Sequence, residues 1–118
     1  MSVLAFGNRF APTVNPITSD LDGWTPVDGT PSMRTWIEHK TEDGKFLTGF
    51  WEAMPGTYRV AYAADEVIHL FEGKVTLTPD DGPQRTFSAG DSFQIAKGFT
   101  GLWKTEEPIR KIFAIRIS

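Results

Sequence analysis

Residues 66–98 read EVIHLFEGKVTLTPDDGPQRTFSAGDSFQIAKG, and this stretch decides the fold. Val67–Phe71 is a short apolar run that ends at Glu72-Gly73, and Lys74–Thr78, alternating polar and apolar, continues the strand. Asp80-Asp81-Gly82-Pro83 is a turn, and Gln84–Phe87 a further short run that ends at Ala89-Gly90-Asp91. Ser92–Ile95 follows and ends at Lys97-Gly98. A two-residue alternation puts every second side chain on one face of a strand, while Gly, Pro and Asp supply the turn geometry between strands. No window carries a sustained helical period.

The same rhythm extends outward. Arg34–Lys40 and Lys45–Glu52 flank Asp43-Gly44, a hairpin signal, and Thr57–Tyr62 follows Pro55-Gly56. Gly101–Thr105 and Arg110–Ile117 complete the set. Many short strands at near-regular spacing predict an all-β sandwich or barrel over residues 33–118. Residues 1–32 read as an irregular N-terminal arm, because Pro12, Pro16, Pro26 and Pro31 oppose helix and central strand alike. Phe6, Phe10, Leu21 and Trp24 are too apolar for a solvated linker. The arm is expected to pack on the barrel or on a partner subunit, with disorder of its first residues as the alternative.

A chain of 118 residues with 40% hydrophobic and 23% charged residues is one ordinary globular domain. Twelve Lys and Arg against 15 Asp and Glu, a net charge of −3, give no basic footprint for nucleic acid. The lack of cysteine removes disulfides, thiolate nucleophiles and Cys-type zinc sites. No apolar run has the length of a membrane span, and MSVLAFGNRF lacks the pattern of a secretory leader. The expected location is the cytoplasm.

Two stretches carry a family resemblance. Glu66-Val-Ile-His-Leu-Phe-Glu-Gly73 resembles the first cupin motif. Gly90-Asp-Ser-Phe-Gln-Ile-Ala-Lys-Gly98 is similar to the Gly-Asp…Pro-x-Gly turn of the second, with Ala96 in place of Pro. Together with Trp51, Pro55-Gly56, Asp65, Phe99, Trp103, Glu107 and Arg110-Lys111, they resemble the small cupins grouped with ureidoglycine aminohydrolase. The resemblance spans about residues 33–117. It implies a double-stranded β-helix, the RmlC-like jelly-roll barrel, and a homodimer.

The usual metal site of that family is mostly missing. Its spacing puts the His-x-His pair on Val60 and Tyr62, the Glu on Glu66 and the last His on Gly101, so only Glu66 matches. The aminohydrolase's own ligand run falls on Val60, Tyr62 and Glu66 and matches at none, so its reaction is not implied. His69 lies three residues after Glu66 on one strand, and that odd spacing points the two side chains to opposite faces. One carboxylate does not hold a transition metal. No metal and no cofactor are expected.

Alternation supplies a different lining. Tyr58, Val60 and Tyr62 share one face, Glu66, Ile68 and Leu70 another, and Gly101 and Trp103 a third. In the last strand Lys111, Phe113, Ile115 and Ile117 point together, and their apolar character turns them inward. Glu66 and Lys111 thus become candidate partners at a pocket mouth, within an aromatic cup of Trp51, Tyr62 and Trp103. Plainer roles stand beside this one: Trp51 and Trp103 as core, Glu66 holding a turn, and Lys111 with its ammonium in water. His39 and His69 read as surface or interface side chains. The leading expectation is a module that binds a small polar or anionic metabolite. The alternatives are a metal-independent enzyme using Glu66 and Lys111 as acid, base or Schiff-base groups, and a metalloenzyme with a weak site completed by His69 or His39.

Overall fold

The computed structural model describes residues 2–117. It contains β1 (Trp24–Asp28), β2 (Met33–Lys40), β3 (Phe46–Ala53), β4 (Gly56–Ala61), β5 (Asp65–Pro79), β6 (Arg85–Ser88), β7 (Ser92–Ile95) and β8 (Thr100–Arg116). Two long antiparallel strands, β5 and β8, form the spine. The first half of β8 pairs with β4, which pairs with β1, and its second half pairs with β3, which pairs with β2. On the far side of β5, β6 pairs with its second half and β7 with its first. One layer is therefore β1-β4-β8-β5-β6 and the other β2-β3-β8-β5-β7, with the spine strands shared. This is a jelly-roll barrel.

The expected separate runs Gly101–Thr105 and Arg110–Ile117 are one strand, despite Pro108 between them. Proline cannot donate to a ladder, and it is tolerated because the β5–β8 register is irregular between Leu70 and Val75. Gly73, at φ 94°, makes that irregularity. A Cβ there would stand 2.3 Å from the Pro108 carbonyl oxygen, so only glycine allows the two backbones to approach. The irregularity also changes the phase of β5. Glu66, Ile68 and Leu70 point inward before it, and Val75 and Leu77 after it, all at most 6% exposed. Without this shift one half of β5 would turn its apolar residues to solvent.

The arm is not wholly irregular. Trp24–Asp28 forms β1, antiparallel to β4. Pro26 is accommodated because β1 is an edge strand, where a missing N–H costs nothing on the unpaired side. Residues before it cross the outer face of β2 and β3. Phe6 packs edge-on against Phe50 at 5.8 Å, and the His39 Nε2 proton is donated to the Ala5 carbonyl at 2.7 Å. Glu38 holds this segment from beneath. Its carboxylate accepts from the Gly7 amide at 2.6 Å and from the amide and hydroxyl of Thr13 at 2.9 and 2.8 Å. Burial raises the Glu38 carboxyl, but these donors outweigh it and hold the group below its ordinary 4.5.

Two outcomes are expected. Gly73→Ala should destabilise the protein clearly more than Gly90→Ala. Both glycines have positive φ, but Gly90 has open space where a Cβ would go and should cost only ~1–2 kcal/mol in a denaturant titration. Glu38→Gln should cost about 1–3 kcal/mol and expose the amides of Gly7 and Thr13 to hydrogen exchange. Because Glu38 is lowered in the fold, its contribution is complete above pH 4.5 and is lost as the pH falls through the folded value, so the same amides should lose protection in acid.

Candidate functional site

The inward rows of β2, β3, β5 and β8 converge at one end of the barrel. Thr35 lies opposite Trp51, and Trp51 opposite Lys111, in one row across three strands. Glu66 sits on β5 opposite Ile115 of β8, four residues along from Lys111. The long Lys111 side chain spans that offset, and its Nζ donates to Glu66 Oε2 at 2.9 Å. Tyr62 donates its hydroxyl to Glu66 Oε1 at 2.6 Å. Each carboxylate oxygen therefore has one donor. The ammonium also rests on two indole faces, 4.3 Å from the Trp51 ring centre and 5.0 Å from that of Trp103. Lys111 is 2% exposed and Glu66 4%.

Burial sets the electrostatics. It pushes the Lys111 ammonium below its ordinary range, and the Glu66 charge opposes the shift without cancelling it. Burial also drives the Tyr62 phenol well above its usual value, reinforced by the negative charge of Glu66. Tyr62 thus stays a hydrogen-bond donor.

A cavity of about 220 Å³ opens in front of the pair. Glu66, Lys111, Tyr62, Trp51 and Thr35 contribute to its lining, with apolar walls from Phe113, Ile115 and Ile117. The arm closes one side through Leu21, Asp22 and Trp24. Trp24 packs against Trp51, Tyr58, Tyr62 and Trp103 at ring separations of 5.4–6.0 Å. The arm is tied here by Tyr58, which donates its hydroxyl to Asp20 Oδ1 at 2.7 Å.

Four of the five pocket residues expected from the sequence, Trp51, Tyr62, Glu66 and Lys111, border this cavity. Trp103 does not. It is fully buried beneath the Lys111 side chain, with Nε1 donating to Thr105 Oγ1 at 3.1 Å, because Trp24 and Trp51 cover it on the cavity side. The sequence reading missed Trp24 and Thr35. Trp24 had a signal, a large aromatic in a proline-rich arm. Thr35 had only its place two residues after Met33 on the inward face of β2. His69 points away from Glu66, with Nδ1 2.7 Å from Ser92 Oγ, and His39 lies on the arm side of β2. Neither histidine reaches the cavity lining.

The metal of the related barrels does not fit these residues. Glu66 already accepts from Tyr62 and Lys111. Val60 is fully buried core. At Gly101 a Cβ would stand 2.3 Å from the Thr78 carbonyl oxygen, so a histidine could not occupy that position without moving β5. Among the described residues no three His, Cys, Asp or Glu side chains are grouped as metal ligands.

A shared pair of long strands closing two layers over an inward-facing pocket is the double-stranded β-helix of the cupins. Residues 40–113 match the EutQ-like cupin domain, and the chain belongs to that family. No curated protein matches it. Among solved structures it is similar to the EutQ protein of Clostridium difficile, with a TM-score of 0.66 and 19% identity over 75% of this chain and 70% of that one. It is also similar to a protein of unknown function in the DUF861 family from Pseudomonas syringae, with a TM-score of 0.72 and 23% identity. That match covers 92% of this chain and only 46% of the other, so the chain spans about half of that relative. A DUF861 family protein of Thermotoga maritima is 33% identical over 54% of this chain and 73% of that one, with a TM-score of 0.53. No helix of the described residues is long and apolar enough to cross a membrane.

Removing one member of the buried pair should cost far more than removing both. Lys111→Met leaves a buried carboxylate without its cation, and Glu66→Gln leaves a buried ammonium without its anion. Each should lose about 3–5 kcal/mol in urea titrations, and the double variant should recover most of that loss. Losses that simply add would mean the two groups do not depend on each other.

Proposed function

We propose that the barrel binds a small polar organic molecule, with its polar end against Lys111 and its body between the apolar walls. The observation that carries this reading is the buried ammonium itself. An ammonium has three protons to donate, and among the described residues its hydrogen bond is to Glu66 alone, beside a cavity. A ligand oxygen would satisfy a donor that two indole faces satisfy only electrostatically. Of the polar and anionic ligands expected from the sequence, charge favours the uncharged ones. The lining carries two carboxylates, Asp22 and Glu66, against one ammonium, a net charge of −1. The cavity volume is below the roughly 300–1,000 Å³ of pockets for drug-sized ligands, which points to a compact metabolite.

The finer resemblance, to the cupins grouped with ureidoglycine aminohydrolase, supports a relation in motif and barrel. The residues at its ligand positions do not support that enzyme's metal chemistry. A metal-independent enzyme is the second reading, favoured by the contact of Glu66 with both Tyr62 and Lys111, an acid–base set in one cavity. A weak metal site completed by His69 or His39 has no such support. A cytoplasmic homodimer is the setting proposed for either function. Its surface would include the outward residues Val67, 52% exposed, and Phe10, 64% exposed. Light scattering should then give twice the mass of 13.2 kDa.

A thermal-shift screen with small amides, alcohols and carbonyl compounds tests the binding reading. At least one uncharged class should raise Tm in a concentration-dependent way, and small carboxylates should be weaker. The response should disappear in the Glu66→Gln/Lys111→Met double variant and be unchanged by a chelator. Stabilisation that survives the double variant would place the ligand elsewhere.

A further inference from the structure

We propose that Lys111 condenses reversibly with a small uncharged aldehyde or ketone, forming an imine inside the barrel. This rests on the binding reading above and names its ligand class. Three features of the cavity carry it. The first is the nucleophile. Lys111 is buried, yet it is one of the residues that line the cavity, which puts its side chain beside a molecule bound there. The indole faces of Trp51 and Trp103 hold a cation but take no proton from it, which leaves Glu66 Oε2, at 2.9 Å, as the acceptor.

The second feature is that acceptor. Tyr62 occupies Glu66 Oε1, so the two oxygens are distinguished and the proton of Lys111 has one destination. Moving that proton turns a buried ion pair into a neutral amine beside a neutral carboxylic acid. An apolar site penalises the charged pair and not the neutral one. Burial also pushes the ammonium toward deprotonation. The third feature is Thr35. The residue belongs to the lining of the same cavity, and its buried hydroxyl has no hydrogen-bond partner among the described residues. Buried polar groups without partners are uncommon. Thr35 and Lys111 stand on either side of Trp51 in one inward row; the proposed carbonyl compound sits between them, its oxygen toward the hydroxyl and its carbon toward the amine.

The step balances with these groups alone. Lys111 passes a proton to Glu66 Oε2, and Nζ forms a bond to the carbonyl carbon as the C=O π pair moves to oxygen. That oxygen, held by Thr35, takes one of the two protons left on the now positively charged Nζ, and the adduct is a neutral carbinolamine. Glu66 returns its proton as the C–O bond breaks, water leaves, and a protonated imine on Lys111 remains beside the Glu66 carboxylate. The net change is ammonium plus carbonyl to iminium plus water, with no oxidant or reductant.

Reductive trapping of the whole protein tests this. Incubation with butanal and cyanoborohydride at pH 7, followed by peptide mapping, should place a butyl group on Lys111 on the order of tenfold faster than on any of the five other lysines, all exposed. The rate should saturate with butanal. Thr35→Val should slow labelling of Lys111 severalfold at saturating butanal, and Lys111→Arg should abolish the fast phase while the far-UV spectrum is retained. Butan-1-ol and butanamide, which cannot form imines, serve as parallel thermal-shift probes. If they stabilise the protein while Lys111 labels no faster than the exposed lysines, binding stands and the imine is overturned. If neither stabilises it and Lys111 is not labelled, both readings fall.

Discussion

Everything at the mouth of this barrel depends on one buried ion pair. Lys111 and Glu66 are almost wholly removed from water, and neither could be so alone. Their mutual contact, the Tyr62 hydroxyl and two indole faces supply what hydration would have supplied. The arrangement also explains the disagreement with the family's metal. The one ligand position that matches, Glu66, is neutralised by a cation carried on the chain itself. The position of the last ligand, Gly101, is closed by the backbone of β5. The chain keeps the cupin frame and fills its centre with its own positive charge.

The frame places the pair through the shared spine. β5 and β8 run antiparallel for nearly their full lengths, so a residue near the start of one lies near the end of the other. Glu66 and Lys111 meet for that reason. The Gly73–Pro108 contact lets both strands pass from one layer to the other, and the phase shift it introduces keeps apolar residues inward on both sides. The arm completes the cavity. Asp20 and Trp24 pin its second half to the aromatic wall, while Glu38 pins its first half to the outside of β2.

Much of this was legible before any coordinates. Short apolar runs such as Val67–Phe71 and the strand alternation over Lys74–Thr78, with glycine at the corners, are enough for an all-β barrel, because burial on one face forces the period. The same alternation put Lys111 on the apolar face of its strand, and the structure brings it to Glu66. The depth of Trp103 was not legible, since alternation tells which face a residue is on and not how far inside it lies. Nor was β1. Pro26 argues against strand, and only the pairing with β4 at a sheet edge overrides it. The continuity of β8 through Pro108 is the same kind of case, a local preference yielding to a register irregularity in the neighbouring strand. Thr35 gave almost no warning, because a threonine on an inward face shows its importance only when its hydroxyl proves to have no partner.

The central claim is that a buried, carboxylate-paired ammonium forms the polar centre of the cavity. The most direct measurement is the pH titration of lysine side chains labelled with carbon-13 and nitrogen-15, followed by NMR. The account predicts that Lys111, assigned by substitution, titrates below the ordinary 10.5 and moves lower still in Glu66→Gln, since the Glu66 charge is what holds it up. A Lys111 that titrates at or above 10.5 and ignores the loss of Glu66 would contradict it.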